Sequence, residues 1–112
     1  MNSSESTSLY ALRAESFRDQ VGKLFFLEGP EGALAITLVR VWEGKEPLFR
    51  GTERRPFSLF FLGPPSVQAR NHVMTNLRHP KLGLIEGVFI GPVSGEPPPQ
   101  FGQGQLWSAD FT

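Results

Sequence analysis

The sequence predicts an all-β protein with one short N-terminal helix and about six antiparallel strands in a small barrel, closed or partly open. Three observations lead to this fold class. After Gly22 the apolar residues fall in short alternating runs, which is the pattern of strands, and Gly and Pro separate these runs. Ten Phe residues, most of them in the runs, can supply the core of a 112-residue chain that has no cysteine. A compact sandwich of the same strands is the alternative architecture.

The residues before the strands predict one short helix within residues 7–20. Three apolar residues can share one face of this helix: Leu9, Leu12 and Phe17. A Ser or Thr at positions 6–8 can cap its start, Gly22 can end it, and Ala14 is a point at which it could break. A helix this short is marginal in isolation, so we expect packing over the end of the sheet to hold it.

The chain is expected to form a single barrel-like domain over residues 9–112, with a flexible N-terminal tail over residues 1–8. This tail lacks the basic segment and apolar run of a secretory signal peptide. The longest uninterrupted apolar stretch, at residues 59–62, is far shorter than the roughly 20 residues that cross a bilayer. We therefore expect a cytoplasmic protein without a membrane partner.

The first two strands are expected to form a hairpin. Residues 23–27 make one apolar run, and a turn at residues 29–32 separates it from a second run that begins at Leu34. The second run changes the phase of its alternation partway along. A bulge near Val39 or Arg40 explains the change, because one extra residue turns all later side chains to the opposite face. Such bulges bend strands and favour a curled sheet.

Four further strands are expected, separated by long loops at residues 44–56 and 91–104. The strands lie at residues 57–62, 72–78, 84–93 and 107–111. The strand at residues 57–62 is apolar on both faces, which predicts burial on both sides. In the strand at residues 84–93, the side chains of Leu84, Val88 and Ile90 are expected to share one face.

The Phe residues divide into two groups. A structural group is predicted on the strands and the helix: Phe17, Phe25, Phe26, Phe57, Phe60, Phe61, Phe89 and Phe111. Burying each of these side chains stabilises the fold by about 2–3 kcal/mol. Phe49 and Phe101 lie in the two loops, where packing in the core does not explain them.

Composition excludes several classes of function. Eleven Lys and Arg residues balance eleven Asp and Glu residues, so no whole-molecule field attracts nucleic acid. The absence of cysteine removes disulfide scaffolds, thiolate metal sites and thiol nucleophiles. We expect no cofactor and no metal, because the two His residues have an odd offset that sends strand side chains to opposite faces. His79, which precedes Pro80, is expected to be a turn residue whose ring bonds the local backbone.

The strand and turn motifs resemble an uncharacterised family of small bacterial proteins. The matching elements are Phe17 with residues 21–22, residues 25–27, Arg55-Pro56-Phe57-Ser58-Leu59-Phe60-Phe61 with Gly63-Pro64, His79-Pro80-Lys81-Leu82-Gly83 and Phe89-Ile90-Gly91-Pro92. The resemblance covers about residues 14–111, and the sequence departs from the family pattern at residues 71–73 and 102–104. Members are often encoded beside phage-tail-collar-like, fibre-like proteins, which implies a partner of that kind. The family has no assigned catalytic residues to carry over.

Two sequence features have a functional and a structural interpretation. Ser58, His72 and Asp110 could form a hydrolase triad, but no nucleophile elbow surrounds Ser58, so an esterase-like enzyme is the weakest hypothesis. The prolines at residues 97–99 could be a polyproline ligand for an aromatic groove. A stiff connector between two strands is the favoured interpretation of these prolines.

The leading hypothesis is a non-enzymatic accessory or structural protein that binds another protein, such as a phage-tail-like or fibre component. Binding is assigned to the loop at residues 44–56 and an adjacent strand edge. The candidate partner-binding residues are Phe49, Arg50, Arg54, Arg55 and Phe101. The alternative is a small barrel that binds a small ligand in its mouth. Whether the chain forms a homo-oligomer stays open.

Overall fold

Six antiparallel strands close into a barrel in the computed structural model of the chain, which describes residues 6–7, 12–29, 32–46, 55–65 and 72–111. The elements in chain order are β1 (Ser6–Thr7), α1 (Glu15–Arg18), β2 (Leu24–Gly29), β3 (Gly32–Glu43), β4 (Phe57–Gly63), β5 (Val73–His79), β6 (Gly83–Pro92), a 3-10 turn (Pro99–Phe101) and β7 (Gln105–Phe111). The order around the barrel is β2, β3, β4, β7, β6 and β5, and β5 pairs again with β2. The predicted fold class is confirmed, as a closed barrel and not a sandwich.

The N-terminal segment differs from the sequence prediction. Ser6 and Thr7, expected to lie in the tail or to cap the helix, form β1 and run parallel to β6 at Leu84 and Ile85. Among the described residues of this segment, the helix is the single turn of α1, and it starts after Ala14 without a side-chain cap. The pairing of Ser6 and Thr7 depends on a strand far along the chain, and no periodicity of side chains in the segment indicates it.

The helix α1 closes one end of the barrel with an aromatic side chain. Phe17 is fully buried, and its ring centroid lies 6.2 Å from that of Phe25, 5.8 Å from that of Phe57 and 6.1 Å from that of Phe111. Arg18 forms ion pairs with Glu15 and with Glu43 at the end of β3. These exposed ion pairs add little, so apolar packing determines where the helix lies, as expected.

The bulge predicted in the second strand is confirmed. In the pairing of β3 with β4, Leu38 lies opposite Phe61 and Arg40 lies opposite Phe60, so Val39 is the extra residue. Leu38 and Val39 are both buried although they are consecutive. The bulge bends β3 and lets it belong to the curved wall of the barrel.

A second irregularity lies between β5 and β6 and corrects the predicted phase of β6. Gly87 has φ +71°, and its N–H donates a hydrogen bond to Oδ1 of Asn76, 3.1 Å away. Two residues of β6 therefore lie opposite Asn76, and the alternation shifts there. Ile85 is fully buried, whereas Leu84 is only half-buried, so the expectation that Leu84 shares the core-facing phase with Val88 was wrong.

The barrel interior is filled by aromatic and aliphatic side chains. The fully buried large residues are Phe17, Phe25, Phe57, Phe61, Ile36, Leu38, Leu59, Leu77, Ile85, Ile90 and Val88. Phe57 and Phe111 stack with their centroids 4.6 Å apart. Phe26 on β2 and Phe60 on β4 point outward and are half-buried. The burial predicted for both faces of β4 is therefore complete only on its inner face. None of the helices in the described part of the chain is long and apolar enough to cross a membrane.

Candidate functional site

Two of the five predicted partner-binding residues lie in the described part of the chain. Phe49, Arg50 and Arg54 lie outside the described residues, so their assembly into one site stays a prediction. Arg55 is exposed just before β4. Phe101 is half-buried in the 3-10 turn, with its ring against Gly22, 3.9 Å from where a Cβ would stand.

Two large exposed apolar side chains lie directly opposite each other on β5 and β6. Met74 is 64% exposed and lies directly opposite Phe89, which is 46% exposed. Val73, the first residue of β5, is 53% exposed, but it pairs with the buried Ile90, so its side chain lies on the other face of β5. We refer to the cross-strand pair of Met74 and Phe89 as the β5–β6 patch. Exposed apolar residues that cluster in this way mark an interaction surface more often than scattered ones do.

Sequence reasoning missed this patch because it placed Phe89 in the structural group. The predicted phase of β6, with Val88 and Ile90 on one face, already placed Phe89 on the other face, where it is exposed. The alternation was thus available in the sequence, but it does not show whether the outer face of a strand is covered. The bulge at Gly87 changes the phase only of the earlier residues Leu84 and Ile85.

His72 extends the β5–β6 patch toward β7. Its ring centroid lies 5.2 Å from that of Phe89. The ring crosses Gly91 so closely that a Cβ at that position would lie 2.5 Å from three atoms of His72. Only glycine at this position allows the two segments to approach as they do.

Among the described residues, only the later part of β5 pairs with β2, so the first part has a free edge beside the patch. The pairing of β2 with β5 consists of Phe26 opposite Arg78 and Leu27 opposite Leu77. Beyond it, the Thr75 hydroxyl donates a hydrogen bond to the carbonyl of Glu28, and β2 then ends in its hairpin. Within the described ranges no strand continues alongside Val73 and Met74 on this side. Such an edge offers backbone groups for pairing with another chain.

A polar network fixes β5 against β2 and β6. Glu28 accepts hydrogen bonds from the Asn76 amide and from the Arg78 guanidinium, each 3.0 Å long. These two hydrogen bonds, led by that of Asn76, lower the pKa of the Glu28 carboxyl. The Asn76 side chain bonds both Glu28 and Gly87, so it links three strands. These hydrogen bonds therefore hold β5 in place next to the β5–β6 patch.

Ser58, His72 and Asp110 do not assemble into the catalytic triad that the sequence could allow. The Ser58 hydroxyl donates directly to Oδ1 of Asp110 over 2.7 Å, and Ser108 donates to the same oxygen over 3.0 Å. In the described part of the chain His72 makes no hydrogen bond to Ser58 or Asp110. A triad needs the imidazole between the nucleophile and the acid, so this arrangement lacks the base next to the hydroxyl.

His79 is a turn residue, as predicted. Its Nδ1 accepts hydrogen bonds from the backbone N–H groups of Lys81 and Leu82, both 3.1 Å away, and its ring lies 4.4 Å from Phe25. Burial and the neighbouring Lys81 lower the pKa of the His79 imidazole, against a smaller opposing effect of Asp19. The neutral ring with Nδ1 as acceptor is therefore the form that stabilises the turn.

Two depressions in the described surface lie beside the Gly/Pro-rich loop, outside the barrel. One of about 580 Å³ is lined by residues of the Gly/Pro-rich loop, including Glu96, Pro97 and Gln103. Another of about 490 Å³ lies between the end of β6 and the start of β7. Inside, Trp107 is buried with an indole N–H that has no hydrogen-bond partner.

Comparison with known proteins places the chain in a family. The family model described as a domain of unknown function, DUF6916, matches residues 12–109. No curated protein matches the chain. No solved structure matches it either. Because the match spans nearly the whole barrel, from the residues before α1 into β7, the chain belongs to the DUF6916 family of domains of unknown function.

Proposed function

We propose that this protein is a non-enzymatic accessory protein that binds another protein through the β5–β6 patch. The single observation that carries the proposal is the exposed cross-strand pair of Met74 and Phe89 on the outer face of the barrel. Aromatic and Met side chains are enriched in the buried centres of protein interfaces. Met is also flexible, so it can adapt to the surface of a partner.

The geometry favours an extended partner segment that adds to the free edge of β5. Strand addition takes its affinity from backbone hydrogen bonds and its specificity from alternate side chains. The backbone at Val73 and Met74 would supply the hydrogen bonds, and the exposed side chains of the patch would supply the specificity. The partner segment is therefore one with apolar residues at alternate positions.

The partner we propose is a fibre-like or tail-collar-like protein, because the family resemblance associates such proteins with neighbouring genes. The loop at residues 44–56 joins β3 to β4, and these two strands lie across the barrel from β5 and β6. Arg50, Arg54 and Arg55 would therefore add charged contacts only to a partner large enough to reach both surfaces. Polar residues at the rim of an interface set its specificity and association rate more than its affinity. Arg55 is exposed and accessible for such a contact.

Co-expression with a tagged tail-collar-like protein encoded beside the gene tests this proposal. The native chain should co-purify with the tagged protein, and the double variant Met74→Ser/Phe89→Ser should not. Leu24→Ser is the matched control, because Leu24 is an exposed apolar residue on β2, away from the patch. No co-purification of the native chain, or equal recovery of the double variant, would contradict the proposal.

A further inference from the structure

The outward faces of β3, β4 and β7 carry a second group of side chains, which the proposed function does not use. Cross-strand pairing arranges them in two rows: Trp42, Ser58 and Asp110 in one, and Arg40, Phe60 and Ser108 in the other. Neighbouring strands lie about 4.8 Å apart, so each row extends over about 10 Å. We refer to these six residues as the Trp42 face.

The aromatic members of this face leave ring surface accessible. Trp42 is 52% exposed, whereas the other tryptophan, Trp107, is buried. Phe60 is half-buried and lies diagonally across from Trp42, at a distance of about 7–8 Å for such neighbours. The flat face of an aromatic ring is electron-rich, so it attracts polarised C–H bonds that lie above it.

The charged members of the Trp42 face, Asp110 and Arg40, have hydrogen-bonding capacity that the described chain does not use. Asp110 accepts both of its hydrogen bonds, from Ser58 and Ser108, at Oδ1. Those bonds fix the carboxylate, and its Oδ2 has no partner among the described residues. Arg40 is exposed and forms no ion pair with any residue in the described ranges. A positioned carboxylate and a guanidinium thus lie on the same surface as the exposed indole.

We propose that the Trp42 face is a binding site for a neutral carbohydrate. The apolar C–H side of a sugar ring lies on the indole of Trp42, with Phe60 beside it. Sugar hydroxyls donate to Oδ2 of Asp110 and accept from the guanidinium of Arg40, and both are charge-assisted hydrogen bonds. Small barrels of other families bind oligosaccharides on strand surfaces in this way.

The combination of residues on the face separates this ligand from other classes. A single-stranded nucleic acid also stacks on aromatic rings, but it needs a cationic groove along its phosphates. The Trp42 face has one carboxylate for one guanidinium, in a chain whose formal net charge is zero. An apolar peptide would leave both charges without partners, which costs free energy on binding. A hydroxyl is donor and acceptor together, so a sugar satisfies both charges.

Titration followed by amide and indole NMR tests the site directly. The probes are cellohexaose, maltohexaose and N-acetylchitohexaose, each added to about 10 mM, tenfold above a Kd of 1 mM. The chain has two tryptophans, hence two indole N–H signals. We expect at least one of the three oligosaccharides to shift the Trp42 indole and the β3, β4 and β7 amides, and to leave the buried Trp107 indole in place.

Variants at the face identify the groups that bind. Trp42→Ala and Asp110→Asn should each weaken binding of the active oligosaccharide at least about tenfold, while Trp42→Phe should retain most of it. Leu24→Ala removes an equally exposed apolar side chain elsewhere and should bind as the native chain does. The Met74→Ser/Phe89→Ser variant should also bind normally, so this site and the protein-binding patch fail or succeed separately.

Three results would overturn the proposal. One is the absence of any Trp42 shift with all three oligosaccharides. Another is unchanged affinity in Trp42→Ala with a spectrum that shows the barrel intact. The third is tighter binding of a single-stranded oligonucleotide or an apolar peptide than of any sugar at the same face.

Discussion

Replacing Phe17 with alanine tests how the barrel is closed. The side chain is fully buried, and its ring meets three other Phe rings at centroid distances between 5.8 and 6.2 Å. Truncating a buried Phe to Ala costs about 3–5 kcal/mol, including the cavity left behind. The four-residue α1 has no side-chain cap, so it contributes no stability of its own to offset this loss. We expect the full cost in the free energy of unfolding.

Urea unfolding measures the loss. With a slope of about 2 kcal/mol per M, a loss of about 4 kcal/mol lowers the midpoint by about 2 M. Phe89→Ala is the matched control, because the same truncation at a half-exposed strand position should cost less than about 1 kcal/mol. The account of the closed end would be refuted if Phe17→Ala cost less than about 1 kcal/mol, or if Phe89→Ala cost as much.

Three further predictions concern the turn at His79, the close approach of His72 to Gly91 and the hydrogen bond between Asn76 and Gly87. The fold lowers the pKa of His79 below its ordinary 6.5, so the unfolded chain binds more protons than the folded chain. The contribution of His79 to stability should therefore be complete above pH 6.5 and fall as the pH drops below it. His79→Asn keeps a hydrogen-bond acceptor and should reduce this pH dependence of the urea midpoint. Gly91→Ala should destabilise by about 1–3 kcal/mol, since its methyl group overlaps His72, and a loss under about 0.5 kcal/mol would contradict that contact. Asn76→Ala should cost about 1–3 kcal/mol and speed hydrogen exchange at the Gly87 amide, whereas unchanged exchange there would show that the bond does not form.

Local sequence signals predicted the features that depend on neighbours in the chain. The phase change in β3 indicated the bulge at Val39, because alternation of side chains follows directly from the pleat. The position of His79 before Pro80 indicated a ring that bonds the turn, and two backbone N–H groups do bond it. Closure into a barrel followed from the number of short strands and from this bulge.

Features that depend on residues far apart in the chain could not be predicted from local sequence patterns. Ser6 and Thr7 pair with β6, nearly eighty positions later, where the sequence suggested a tail or a helix cap. The bulge at Gly87 decides whether Leu84 or Ile85 faces the core, and it depends on how Asn76 bonds across the strands. The Trp42 face likewise exists only because three strands lie side by side.

The proposed partner protein adds a strand to the free edge of β5 at the β5–β6 patch. Amide hydrogen exchange is measured with and without a tail-collar-like protein encoded beside the gene, because strand addition changes the hydrogen bonding of the β5 backbone. Backbone pairing protects amides from exchange, so the account predicts slower exchange at Val73 to Thr75 when the partner is present. Unchanged exchange at these residues, with protection confined to another surface of the barrel, would contradict it.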